Sequence, residues 1–154
     1  MEDARLLQCA LQGDPGAFGS LYDRNAAAVF GYAYRMLGNR TDAEDVTQDV
    51  FLALARRGGS YDATRSFKTW LLTLARNASI DHRRRRRSRP AAPIDRDILE
   101  SAVAATQERD DTELLERALP QIPDVYREAL WLCDAMGLSY QEASQLMECD
   151  AGTI

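Results

Sequence analysis

Between Ala78 and Pro90 the chain reads ASIDHRRRRRSRP, with five consecutive arginines and a sixth just beyond Ser88. Arginine displaces the counterions condensed on nucleic acid, so the chemistry on offer is the holding of phosphates. A solvated basic helix end is the plainer reading, because cations also favour the negative pole of a helix dipole. What lies upstream shifts the balance. Tyr61, Phe67 and Trp70 precede the run, and Asn77 stands midway. Bases stack on aromatic rings for about 1–3 kcal/mol each while cations hold the backbone. An Asn amide can pair with a base edge. Phe67, Trp70 and Leu74 also have the spacing of a buried face. Phe67 and Leu71 are therefore expected in the core, and Tyr61 and Trp70 are the better stacking candidates.

Other chemistry finds little material. His82 is the only histidine, and Cys9, Cys133 and Cys149 are far apart with no CxxC pair. A zinc site is not expected, and the cysteines read as reduced, buried thiols. An enzyme would have to be assembled from Asp81, His82 and the arginines, without a glycine-rich phosphate loop or a metal-ligand cluster. No catalytic residue and no cofactor are expected.

The elements that must position these residues all have a helical period. Leu6, Leu7, Ala10 and Leu11 mark a short first helix closed by Gly13. Asp14-Pro15 supplies an N-cap and a first-turn proline. Phe18, Leu21, Tyr22, Val29, Tyr32, Ala33 and Met36 then trace one apolar face, ended by Gly38-Asn39. TDAE, Thr41 to Glu44, reads as a capping box opening a third helix with Val46, Val50 and Leu54 as its buried stripe. After Gly58-Gly59 and a polar loop, Phe67, Trp70, Leu71, Leu74, Ala75 and Ala78 define the helix that runs into the arginines.

SRPAAP cannot continue that helix. From Ile94 to Asp111 there is little periodicity and much acid, which reads as a linker. Helical pattern returns with Leu114, Leu115, Ala118 and Leu119. Beyond Pro123 it resumes with Val125, Ala129, Leu130 and Cys133, up to Gly137. SYQE from Ser139 is a second capping box, and Asp150 stands where it would cap a further helix. No segment alternates as a strand does. The fold expected is all-α: two small helical domains, residues 1–89 and 112–154, joined by an acidic linker at 90–111.

The net charge is −5, yet the basic residues between Arg65 and Arg89 are opposed only by Asp81. Acid gathers instead at Asp42 to Asp49 and Asp95 to Glu113. Such asymmetry assigns one face to a polyanion and leaves other faces for something else. No apolar run approaches the roughly 20 residues of a membrane helix, and the acidic, amphipathic start is no signal peptide. A cytoplasmic protein is expected, without membrane insertion.

Two stretches, in order, resemble one family. AEDVTQDVF and FKTWLLTLARNASIDHRRR are similar to the sigma-2 domain of the sigma-70 family of bacterial transcription initiation factors, in its extracytoplasmic-function (ECF) group. LERALPQIPDVYREALWLCDAMGLSYQEASQLMECDAGTI resembles the opening of the sigma-4 domain, a helix-turn-helix whose second helix would enter the major groove. The resemblance implies a polymerase specificity subunit that directs promoter recognition and melting. It implies that Asp45, Gln48, Asp49 and Leu52 face outward to dock the clamp coiled coil of core RNA polymerase. Tyr61, Trp70, Leu74 and Asn77 would receive an unstacked base of the single-stranded −10 element. Lys68, Arg76, Arg83, Arg84 and Arg85 would hold the DNA around it. Members of this group are often held by anti-sigma factors, and such a partner is expected.

The chain departs from the family pattern in two places. Glu148 follows Met147 where the turn commonly has glycine, so a left-handed residue there would cost about 1 kcal/mol or more. The sequence also stops at Ile154, where the recognition helix for the −35 element should begin, so a truncated form is expected. Ala143, Leu146 and Met147 would then lack their cover and face water unless a partner buries them. The competing reading is a stand-alone helix-turn-helix regulator that binds duplex DNA without polymerase and has no use for the acidic face at Asp45 to Leu52.

Overall fold

The computed structural model describes residues 2–87 and 123–149. The chain divides into two compact units, Met1–Ile98 and Leu99–Ile154. The protein is all-α, and the described residues contain no strand.

In the first unit the helices are α1 (Glu2–Leu11), α2 (Pro15–Leu37), α3 (Arg40–Arg57) and α4 (Phe67–Arg86), with a single 3-10 turn at Gly58–Ser60. Local chemistry sets their ends. The Asp14 carboxylate accepts the amide protons of Gly16 and Ala17 at 2.9 and 3.2 Å, and Pro15 opens α2. These bonds satisfy donors that a helix start otherwise leaves orphaned. Gly38 closes α2 in the left-handed region at φ 68°. The next residue, Asn39, is extended, and its side chain accepts the Asp42 amide at 3.0 Å. Asn39, not Thr41, is therefore the cap of α3, and the helix begins earlier than the TDAE box predicts. Glu44, freed from the expected box, pairs with Arg40 at 2.9 Å one turn away. Ser66 caps α4 by accepting from the Thr69 amide at 3.4 Å.

The core lies where α2, α3 and α4 pack on one another, with α1 against α2. Leu21, Val29, Tyr32 and Ala33 of α2 meet Val46, Val50 and Leu54 of α3 and Leu71, Leu72 and Ala75 of α4, all buried. Fully burying one such large side chain stabilises the fold by roughly 1.5–3 kcal/mol. The α3 stripe is the one its spacing predicts. The predicted α2 face holds only in part. Val29 is at 0% exposure, but Tyr22, a heptad before it, is 43% exposed, and Met36, a heptad after, is half-buried. A straight helix drifts about 20° per heptad, so a seven-residue stripe rolls off its partner at both ends. Asn25 turns inward instead, and its amide donates to the Leu21 carbonyl at 3.0 Å. Gly58 lets α1 pass close by: a Cβ there would stand 2.9 Å from Leu7 Cδ1 and 3.1 Å from Leu11 Cδ2.

In the second unit α5 (Asp124–Leu130) runs directly into a π-helical turn, Trp131–Ala135, before Gly137 at φ 69° and α6 (Tyr140–Met147). The Met136 amide reaches back to the Trp131 carbonyl at 3.1 Å, the wide spacing of such a turn. That extra residue per turn changes which side chains point inward. Ala129, Leu132 and Leu138 are buried, whereas Val125 is 53% and Leu130 40% exposed, against the uninterrupted stripe expected from the sequence. The second capping box forms as read: Ser139 Oγ accepts the Glu142 amide at 3.2 Å, and Glu142 Oε2 accepts the Ser139 amide at 2.9 Å. Helix α6 packs on α5 and the π turn. Ala143, Leu146 and Met147, expected to face water, are 0%, 1% and 7% exposed. The three cysteines are free and half-buried. The expected linker at 90–111, the helical pattern at Leu114 to Leu119 and the capping position Asp150 lie outside the described residues.

Candidate nucleic-acid interface

Residues 61–66 form a short loop tied to itself. Asp62 accepts from the Thr64 amide at 2.9 Å and from its hydroxyl at 2.7 Å. Those two bonds, then the neighbouring Arg65 charge, hold the Asp62 carboxyl below its ordinary pKa. Tyr61 donates its phenolic proton to the Arg65 carbonyl at 2.5 Å. Burial, then the Asp62 charge, pushes the Tyr61 phenol above its ordinary pKa, so it stays a neutral donor.

The loop sets Tyr61 over the start of α4. Its ring centroid lies 5.6 Å from Phe67 and 5.2 Å from Trp70, and Phe67 lies 6.0 Å from Trp70. These separations suit tilted and edge-on aromatic pairs. Phe67 is buried, as are Leu71 and Ala75 along the same helix, while Tyr61 and Trp70 stay half-exposed at the rim. The division expected from the sequence, Phe67 inward and Tyr61 with Trp70 outward, is the one observed.

Helix register places the rest. Trp70, Asn77 and Arg84 are seven residues apart, so they follow one line along α4 with a drift of about 20° per heptad. Leu74 lies on the same face, half-buried between Trp70 and Asn77. Asn77, Arg84 and Arg85 are exposed, as is Lys68 in the first turn, and Arg76 is half-buried. Lys68, Arg76 and Arg85 all make polar or charge interactions within the chain.

The arginine run is not uniform. Arg83 donates to the Met36 carbonyl at the end of α2. Arg86 pairs with Asp42 in the first turn of α3, and His82 Nε2 lies 3.0 Å from the other oxygen of the same carboxylate. Arg84 and Arg87 have no ion-pair partner among the described residues. Sequence reasoning placed Arg83 with the phosphate-binding residues and missed Asp42 altogether. No local pattern links position 42 to positions 82 and 86; only packing does.

A second exposed face lies on α3. Asp45, Gln48, Asp49 and Leu52 are all exposed, at the i, i+3, i+4, i+7 spacing of one stripe, with Leu52 at 53%. Beside it, Phe51 is buried against Phe18 and Tyr22 at centroid distances of 6.5 and 4.7 Å. Among the described residues no group of three or more His, Cys, Asp or Glu could hold a metal ion. No described helix is long and apolar enough to cross a membrane.

The fold and these faces define a class: an all-helical protein with one basic, aromatic-edged face and a separate acidic stripe tipped by leucine. Comparison with known proteins makes the class specific. The family described as Sigma-70 region 2 matches residues 21–89, and Sigma-70, region 4 matches residues 112–154. The ECF RNA polymerase sigma factor SigK of Mycobacterium sp. (strain KMS) is 32% identical over 161 residues, covering 97% of this chain and 81% of that protein. The RNA polymerase sigma factor CarQ of Myxococcus xanthus is 35% identical over 143 residues, covering 91% and 82%. The structure of CnrH in complex with the cytosolic domain of CnrY superposes with a TM-score of 0.71 at 25% identity, covering 99% of this chain and 87% of that one. The chain belongs to the sigma-70 family of RNA polymerase sigma factors, in the ECF group.

Proposed function

We propose that this sigma factor reads single-stranded −10 DNA with the rim of α4 and docks core RNA polymerase with the outer stripe of α3. Tyr61, Trp70, Leu74 and Asn77 receive the unstacked base. The rings supply stacking and Asn77 supplies the hydrogen-bonding edge, because base contacts specify while phosphate contacts position. Lys68, Arg76, Arg84 and Arg85 hold the backbone. Arg83, engaged with the Met36 carbonyl, adds positive potential to the same region. Asp45, Gln48, Asp49 and Leu52 meet the clamp coiled coil. The protein contributes binding energy to promoter melting and no bond chemistry, and it works in the cytoplasm alongside polymerase. CnrH was solved bound to the cytosolic domain of CnrY. By analogy a regulatory protein domain, an anti-sigma factor, is a further partner.

The observation that carries the reading is the line Trp70, Leu74, Asn77, Arg84: a stacking surface, an amide and a cation in sequence along one helix face. The test is binding of single-stranded oligonucleotides to the protein assembled with core polymerase. Asn77→Ala should erase much of the preference for the favoured promoter sequence over a scrambled one. Replacing Arg84 and Arg85 together should weaken all sequences alike and flatten the salt dependence by about 0.7 per lost phosphate contact on a single strand. An Asn77 variant that lost affinity evenly across sequences would not be a base reader.

A further inference from the structure

We propose that Asp42, His82 and Arg86, with Arg83 on the Met36 carbonyl, form a clasp that fixes the rotation of the last two turns of α4. The arginine run is thereby split, with Arg83 and Arg86 holding the fold and Arg84 facing the DNA. The DNA half of this statement rests on the reading proposed above; the clasp itself does not.

The need for a clasp follows from how α4 ends. Ser79 is its last fully buried residue, and nothing from Ile80 to Arg87 is buried. No apolar packing holds this stretch, and its adjacent like charges repel one another. Anchors come instead from the ends of the two neighbouring helices. Asp42 is only 8% exposed and sits in the first turn of α3, where the helix dipole favours a carboxylate. A carboxylate so buried needs partners. It has His82 on one oxygen at 3.0 Å and Arg86 on the other. These two donors are one turn apart on α4, so a single carboxylate grips one face of the helix. The Met36 carbonyl belongs to the last turn of α2, whose carbonyls lack intrahelical donors, and Arg83 supplies one.

Geometry then divides the run. At about 100° per residue, His82, Arg86 and Arg83 span an arc of roughly 100° facing α2 and α3. Arg84 falls about 150° from the middle of that arc, and Asn77 and Trp70 lie within about 40° of Arg84. A clasp on one side of α4 thus aims the other side outward as a continuous base-and-phosphate line.

The clasp makes a prediction whose sign opposes simple electrostatics. Asp42 is acidic, so deleting its charge should help a polyanion bind if charge alone mattered. If Asp42 positions α4, the same change should weaken binding. The experiment uses the full chain with Asp42→Asn, Arg86→Gln, Arg86→Lys and Arg84→Gln. Amide hydrogen exchange is read without DNA. Affinity for a fluorescein-labelled, mixed-sequence single-stranded 12-mer is read with core polymerase at several salt concentrations. Asp42→Asn and Arg86→Gln should speed exchange across the last two turns of α4 by about tenfold or more, since each removes a charge-assisted hydrogen bond. They should weaken the 12-mer by about two- to fivefold, as the competent orientation is less populated, with the salt slope unchanged. Arg86→Lys should recover most of both effects. Arg84→Gln should leave exchange alone and lower the slope by about 0.7.

Three results would overturn the proposal: unchanged exchange in Asp42→Asn, tighter DNA binding in Asp42→Asn, or a fall in salt slope in Arg86→Gln matching that of Arg84→Gln. If the wild-type assembly bound no single strand, the DNA reading would fall, and exchange alone would still decide the clasp.

Discussion

Glu148 carries backbone strain that a single substitution should release. It sits at φ 56°, ψ 41°, the one non-glycine residue with positive φ among those described. Its conformation is imposed by the way α6 ends. The Cys149 amide donates to the Ser144 carbonyl at 3.0 Å, and the Glu148 amide donates to Gln145 at 3.4 Å. This is the paired closure that normally has glycine in the left-handed position. An L-residue there costs roughly 1–2 kcal/mol through the clash of Cβ with the following carbonyl. Glycine removes the clash but adds about 0.4–1 kcal/mol of unfolded-state entropy to be lost on folding. The Glu148 side chain is exposed, so little else is forfeited. Glu148→Gly should therefore stabilise the second unit by about 0.5–1 kcal/mol net. In a unit of this size that is a rise in Tm of roughly 2–8 °C. The protein has two tryptophans, so a Trp70→Phe background leaves Trp131 to report thermal and urea melting of this unit. Glu148→Asn should gain less than glycine, because Asn tolerates the left-handed region only in part. Glu148→Ala should gain nothing, since its Cβ is in the same clash. Equal gains from alanine and glycine, or a loss with glycine, would show that the turn is not strained by its Cβ.

Asp49→Arg, on the exposed α3 stripe, should weaken binding to core polymerase in a titration while changing stability by less than about 0.5 kcal/mol; unchanged affinity would remove this stripe from the interface. Gly58→Val should destabilise the first unit by about 1–3 kcal/mol in urea melts, because even a Cβ there meets Leu7 and Leu11 at 2.9 and 3.1 Å. Tyr61 should titrate above its ordinary range in an ultraviolet phenolate titration, and Tyr61→Phe should remove that late component. The sign follows from a raised folded-state pKa: Tyr61 contributes stability that is fully present below its unfolded pKa near 10 and is lost as pH rises through the folded one.

Periodicity alone determined the helical class, because apolar spacings of three, four and seven admit no other regular element. It placed Val46, Val50 and Leu54 inside. Strong local chemistry was legible too. Asp14-Pro15 and Ser139 with Glu142 act within a few residues, so no distant contact was needed to read them. The exposed stripe of Asp45, Gln48, Asp49 and Leu52 is the complement of the buried one, and its existence follows from the same period. Choices between near-equal local options belonged to the tertiary structure. Asn39 outcompeted Thr41 as the α3 cap, a difference smaller than the packing energy that fixes where α3 begins against α2. The π turn at Trp131 to Ala135 rotated Leu132 inward and Val125 outward, a result set by how α6 lies against that segment. The arginine run shows the division most clearly. Composition announces a polyanion-binding face, but all five consecutive arginines are alike in sequence. Only the folding of α4 beside the ends of α2 and α3 brings Arg83 to the Met36 carbonyl and Arg86 to Asp42, some forty residues away, leaving Arg84 in line with Asn77 and Trp70. Pairings of that kind depend on long-range proximity, which a helical period does not encode.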